Sequence, residues 1–289
     1  MLNIGLIGSV GSISNHVRNL KGVKGIRIIG KSSVGMMEQH EGASLTIPEC
    51  NRRELVDAAG LLVVDRSSLL DYDLLKSAVK NSSHLYFTDF PDLSPDQCAE
   101  LLKIAGEAQT VIKIKNPLLV EPLTGWVAAN FQEPAYLSLF ETLPAIPEKR
   151  ELLTRHLYYA LALFGTFPQK IRVTAIHQPP EESFFFNLRF DYPSSSIYNL
   201  EVAVRNDASR TLRAVMPGKF LEGNCISGRA HLNNREITFS SSAEKELASF
   251  VSLAGNEDFF LQSDMNAYCS TLSILREVLL KIKSYTSWQ

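Results

Sequence analysis

The sequence is poor in several features that would settle a function class at once. It has four cysteines in 289 residues, Cys50, Cys98, Cys225 and Cys269, and no C-x-x-C pair among them. That spacing supports neither a disulfide framework nor a zinc site, so reduced thiols in a cytoplasmic protein are the expectation. Charge of one sign is also missing: 29 Lys and Arg against 31 Asp and Glu leave a net charge of −2. No electrostatic term then draws the chain to nucleic acid or to an anionic membrane. No apolar run approaches the roughly 18 residues of a spanning helix. The N-terminus is expected to enter a strand directly, with no basic leader and cleavage site before it. No internal repeat or low-complexity tract is visible. What remains is 45% hydrophobic and 21% charged, an ordinary globular composition long enough for two domains.

Against these absences stands the opening stretch, Met1 to Leu20. A short apolar run, Leu2 to Ile7, breaks at Gly8. The turn Gly8-Ser9-Val10-Gly11-Ser12 follows, and a helical pattern begins near Ile13. Strand, tight turn and helix open a βαβ unit whose helix N-terminus can hold a pyrophosphate. Gly8, Ser9, Gly11, Ser12 and Ile13 are the candidate binding residues. The spacing is G-x-x-G-x-x-S, with Val10 where a second glycine would let the backbone approach the phosphates.

Further strand-like runs alternate with helical stretches: Ile26 to Ile29, Leu61 to Val64, Leu85 to Phe87 and Val111 to Ile114. Such near-continuous apolar runs predict a parallel sheet covered on both faces. Ser94-Pro95-Asp96-Gln97 reads as an N-cap serine, proline at the first helical position and Gln at N3. Cys98, Leu101, Leu102 and Ala105 then mark the buried face of that helix. Ligands of a doubly wound sheet sit beyond the carboxyl ends of its strands. Those ends hold the further candidates Lys31, Ser32, Asp65 and Asp89. Lys31 lies twenty residues after Gly11, where an acid would grip an NAD ribose. A lysine followed by serines suits a 2′-phosphate better, favouring NADP over NAD. The alternative is a solvated turn.

These residues resemble the glucose–fructose oxidoreductase, inositol dehydrogenase and MocA (Gfo/Idh/MocA) family. The resemblance covers the glycine turn, the strand ending Val63-Val64-Asp65, and His84 to Pro91, which matches a family strand ending in Glu-Lys-Pro. Asn116-Pro117 resembles the next landmark. The family lysine falls on Phe90, a residue without charge or proton. The resemblance implies an NAD(P)-dependent oxidoreductase acting on a sugar, polyol or related small alcohol. A catalytically inactive ligand-binding or scaffold protein on the same fold is the alternative.

After Pro117 the pattern changes to alternation. The fold class expected is therefore α/β: a Rossmann-type doubly wound parallel sheet over 1–117, and an α/β domain with a largely antiparallel open sheet over 118–289. The last helix, 265–285, is expected to pack back on the first domain. Glu151 to Phe164 reads as helix and sits where the family has His-x-x-Asp before a glycine. Counting back from Gly165, the histidine falls on Arg155 and the aspartate on Tyr158, with His156 one residue out of register. Substitute catalytic groups are then Lys115, His156 and Tyr158, although a lone histidine in an apolar stripe is more often a satisfied core residue. Arg205, Arg210, Arg213 and Arg229 form a candidate basic patch on the open sheet. The run Phe184-Phe185-Phe186 puts aromatics on both sheet faces, which predicts a homo-oligomer through the outer one.

Overall fold

The structure is a computed structural model that describes residues 1–35, 46–145, 148–178, 183–239, 245–254 and 264–286. Cα packing divides the chain into two compact units. The first is Met1–Asn116 with Glu244–Cys269, and the second is Pro117–Ala243 with Ser270–Gln289.

The first unit holds five strands: β1 (Leu2–Ser9), β2 (Ile26–Val34), β3 (Leu61–Val64), β4 (His84–Phe87) and β5 (Ile112–Ile114). They form one sheet in the order β2-β1-β3-β4-β5, every pair parallel. β3 is buried at all four positions, as a strand covered on both faces requires. The helices α1 (Val10–Leu20), α2 (Arg52–Ala58), α3 (Tyr72–Lys80) and α4 (Pro95–Glu107) alternate with the strands. α4 starts with the capping box its sequence announces, Ser94 bonded to the Gln97 amide and Gln97 to the Ser94 amide. α8 (Lys245–Ala254) returns to this unit, where Leu247, Phe250 and Val251 join Ile4, Leu6, Ile13 and Leu20 in one core.

Three expectations need correction. The helix expected near Ile13 begins at Val10, because Ser9 is extended and caps it, accepting from the Ser12 amide at 3.3 Å. The strand expected to stop at Ile29 runs on to Val34. Lys31 and Ser32 therefore lie inside β2, level with Leu6 and Ile7, and not on a turn. A polar stretch stays extended here because β1 pairs it on one side and Glu49 bridges Lys31 on the other. Finally, Cys98 and Cys269 are disulfide-bonded across 171 residues, with Cα atoms 5.8 Å apart. Spacing along the chain carries no information about such a meeting. Cys50 and Cys225 are free thiols.

The second unit holds α5 (Pro117–Val120), α6 (Pro122–Asn130) and α7 (Lys149–Phe164) with β6 (Tyr136–Leu143), β7 (Lys170–Gln178), β8 (Ser183–Asp191), β9 (Ile197–Val204), β10 (Ser209–Met216), β11 (Lys219–Asn224), β12 (Arg229–Leu232) and β13 (Arg235–Thr238). The sheet order is β13-β12-β11-β10-β6-β9-β8-β7. Only β6–β9 is a parallel pair. Cys225 to Gly228 form a turn leading into β12, with Asn224 accepting from the amides of Ile226 and Ser227. The side chain of Phe184 lies outside the described residues. Phe185 is half-buried and Phe186 buried, on opposite faces of β8. α9 (Met265–Thr286) begins in the first unit and continues in the second. Among the described residues, no helix is long and apolar enough to cross a membrane.

Candidate functional site

In the first unit the strand order turns back on either side of β1, so the crevice beyond the carboxyl ends of β1 and β3 is the expected ligand position. The two strand ends meet closely there: a Cβ on Gly8 would come within 2.5 Å of the Asp65 Cβ. The Asp65 carboxylate accepts from the Ser12 hydroxyl at 2.6 Å and from Thr88 at 3.0 Å. His16 Nε2 lies 3.9 Å from the same oxygen, buried and with no hydrogen-bond partner among the described residues. Burial lowers the pKa of this imidazole; Asp65 opposes that and Lys115 adds to it. A Cβ on Gly11 would meet nothing within 4 Å, so the first turn of α1 borders open space.

The structure thus gathers Gly8, Ser9, Gly11, Ser12 and Asp65 at one edge. Other candidates have different work. The Ile13 side chain is 1% exposed and belongs to the core. Asp89 accepts from the Ser67 amide at 3.1 Å and holds the loop after β3. Ser32 sits within β2 beside Ile7. The Lys31 ammonium is 3.9 Å from the Glu49 carboxylate and its side chain is 12% exposed.

The loop after β4 is closed by α9. Phe90 stacks on Tyr268 with ring centroids 6.0 Å apart, and the Tyr268 hydroxyl donates to the Pro91 carbonyl. Lys115, just past β5, is anchored by its amide to the Phe87 carbonyl at 2.8 Å and remains half-exposed. Deeper on the same face, Tyr86 donates to Glu246 at 3.1 Å, and Asp264 takes Lys113 at 3.0 Å and the Ile114 amide at 2.9 Å. Burial raises the pKa of Glu246.

In the second unit, Glu141 on β6 and Arg210 on β10 stand directly opposite each other on the inner face of the sheet. The Glu141 carboxylate is 2% exposed. It takes Arg155 at 2.9 Å, Arg210 at 2.5 Å and His156 Nε2 at 2.8 Å. Glu121 pairs with the other end of Arg210. His156 is 0% exposed, its Nδ1 facing the Tyr198 hydroxyl at 3.4 Å. It is a satisfied core histidine, and Tyr158 is buried at 4% exposure. The candidate basic patch divides: Arg210 points inward, while Arg213 pairs with Glu222 and Arg205 lies over Phe140. Glu141 was not singled out from the sequence and Arg210 only as part of the basic patch, yet each lies in the inward phase of its alternating strand, Glu141 with Leu137 and Leu139, Arg210 with Leu212 and Ala214.

Burial holds His156 at about 4, below its ordinary 6.5, with the Glu141 hydrogen bond opposing part of the shift. Between those two values the unfolded chain binds more protons than the folded one, so stability is expected to fall as pH drops, by up to about 3 kcal/mol. Glu141 acts in the same direction at lower pH. Burial would raise its pKa, but its hydrogen bond to His156 and the two arginines hold it well below the carboxylate range. Urea midpoints measured from pH 7 to 4 check this. His156→Gln, which keeps a donor and cannot titrate, should flatten the profile, and an equally steep one would refute the assignment.

No protein-family model matches the sequence, and no curated protein matches it. Solved structures do. UDP-N-acetylglucosamine 3-dehydrogenase GnnA from Acidithiobacillus ferrooxidans superposes with a TM-score of 0.79 at 15% identity, covering 98% of each chain. This is the Gfo/Idh/MocA fold. Biliverdin reductase from Synechocystis sp. PCC 6803, solved with biliverdin and NADP+, gives 0.73 at 12% identity over 94% of this chain and 96% of that one. The dehydrogenase MviM from Clostridium difficile gives 0.73 at 11% over 96% and 98%. Phe90, where the sequence resemblance puts the family's lysine, is stacked on Tyr268, and Arg155, where it puts the histidine, is tied to Glu141.

Proposed function

We propose that this chain binds a nicotinamide dinucleotide at the carboxyl edge of its parallel sheet. We read it as an oxidoreductase-type protein for a sugar, polyol or related small alcohol whose turnover through the family's usual groups is very low. The observation that carries the reading is the strand–turn–helix at the point where strand order reverses, with the first turn of α1 bordering open space at Gly11. The likeness to a dehydrogenase, and to a reductase solved with NADP+, supports it. The backbone of Ser9, Gly11 and Ser12 would hold the pyrophosphate, with Thr88 and Asp65 beside it. The Asp65 carboxylate shares the positive end of α1 with any incoming phosphate and so weakens its hold. A bound nicotinamide would supply hydride transfer to or from a carbon.

The chain's own proton-handling groups are few. Phe90 has no proton to give, Arg155 is held by a buried carboxylate, and His156 is sealed in the core. Lys115 alone of the three substitutes stays half-exposed. Positioned acid–base groups typically contribute ~10²–10⁴-fold. A screen of sugars, polyols and sugar acids with both nicotinamides is expected to show cofactor binding with turnover lower by about that factor. Robust turnover that survives Lys115→Ala and Tyr158→Phe would mean that the site has been misread. Failure of both dinucleotides to bind would favour the scaffold reading.

A further inference from the structure

The tip of β2 carries a carboxylate that the local sequence does not announce. Register puts Ser33 level with Gly8 and Val34 level with Ser9, so Ser33 marks the end of β2 nearest the glycine turn. The adenosine ribose of a dinucleotide lies at the tip of this second strand. There Glu49 reaches back across sixteen residues to Ser33. Its Oε1 accepts from the Ser33 amide at 2.6 Å, and its two oxygens take the Ser33 hydroxyl at 2.9 Å each.

The backbone fixes this approach from both sides. The Lys31 amide donates to the Pro48 carbonyl at 3.0 Å, and the Cys50 amide to the Lys31 carbonyl at 2.8 Å. Glu49 is thus clamped as a short parallel bridge beside β2. Its side chain is still 53% exposed. A carboxylate offers about four lone-pair sites, and those not taken by Ser33 remain for a ligand hydroxyl. The Lys31 ammonium, 12% exposed, is drawn toward this carboxylate and is partly neutralised by it.

We propose that Glu49 selects NAD over NADP by accepting the 2′-hydroxyl of the adenosine ribose and repelling a 2′-phosphate. The proposal rests on the dinucleotide reading above. It reverses the preference drawn from Lys31, because the residue that decides comes from the segment after β2. An acid that arrives by a separate segment has no fixed spacing from the glycines, so the sequence pattern gives no sign of it.

The test is calorimetric titration of the intact protein with NADH and with NADPH, on the wild type and on Glu49→Gln, Lys31→Ala and Asp65→Asn. The expected result is NADH preferred by at least about tenfold, the scale of one charge-assisted contact. Glu49→Gln should erase most of that ratio, chiefly by tightening NADPH. Asp65→Asn should tighten both cofactors and leave the ratio in place, and Lys31→Ala should leave NADH preferred. Equal affinities in the wild type, or a selective loss of NADPH binding in Lys31→Ala, would overturn the assignment of Glu49 while leaving the dinucleotide site standing. Binding of neither cofactor to the wild type would overturn the dinucleotide reading itself, and this inference with it. Circular dichroism of each variant confirms that the fold is retained.

Discussion

Glu141→Ala is expected to destabilise the protein by about 3–5 kcal/mol, the usual result of removing one partner from a buried ion pair. Three donors converge on that carboxylate: Arg155, Arg210 and His156. Taking the acceptor away leaves two guanidinium groups and an imidazole with a buried gap where their shared partner was. The loss should exceed that of Arg213→Ala, whose pair with Glu222 lies on the open face with both side chains about half exposed or more. Urea unfolding of the two variants gives the comparison directly. The cluster also permits a subtler check. Replacing Glu121, Glu141, Arg155 and Arg210 together with apolar residues of similar volume should cost less than Glu141→Ala, since no charge of the cluster is then left without its partner. If that fourfold replacement were as damaging as the single one, desolvated charge would not explain the cost.

The second large effect concerns Cys98 and Cys269. A cross-link between residues 171 positions apart removes much chain entropy from the unfolded state, with a ceiling near 5 kcal/mol. For a chain of this size, that corresponds to roughly 10 °C in melting temperature. Heating with and without dithiothreitol, together with the Cys98→Ala/Cys269→Ala double variant, tests this. Reduction should lower the transition of the wild type and leave the double variant unmoved. Two free thiols at Cys98 and Cys269 in the freshly purified, unreduced protein would refute the bond. Tyr268 neighbours Cys269, so the contact of its hydroxyl with the Pro91 carbonyl should loosen along with it.

Much of the first unit was legible in the sequence, for a physical reason. A strand covered on both faces must be apolar at consecutive positions, and Leu61-Leu62-Val63-Val64 is buried throughout. The start of α4 was equally plain, because capping is decided within four residues. The tail of β2 was not. Lys31-Ser32-Ser33 has turn chemistry, and only pairing with β1 and Glu49 keeps it extended. The centre of the second unit fell between. Glu141 and Arg210 each sit in a buried phase, but their pairing depends on a register set 69 residues apart along the chain. His156 was readable as a core residue from its apolar stripe, whereas its carboxylate partner was not. The disulfide and Glu49 share one reason for escaping notice: both depend on segments distant in sequence arriving at the same place.

The order in which this chain leaves a ribosome does not match the order in which its parts can be completed. Ile4, Leu6, Ile13 and Leu20 are made more than two hundred residues before Leu247, Phe250 and Val251, yet they share a core with them. A nascent chain that has reached Asn116 has all five strands of the parallel sheet but lacks the helix that covers one side of it. Until Lys245–Ala254 emerges, that apolar surface must wait in water or be shielded by a chaperone, with the attendant risk of aggregation. A fragment cut at Asn116 inherits the same exposed face permanently. The parallel sheet is thus synthesised long before it can be sealed.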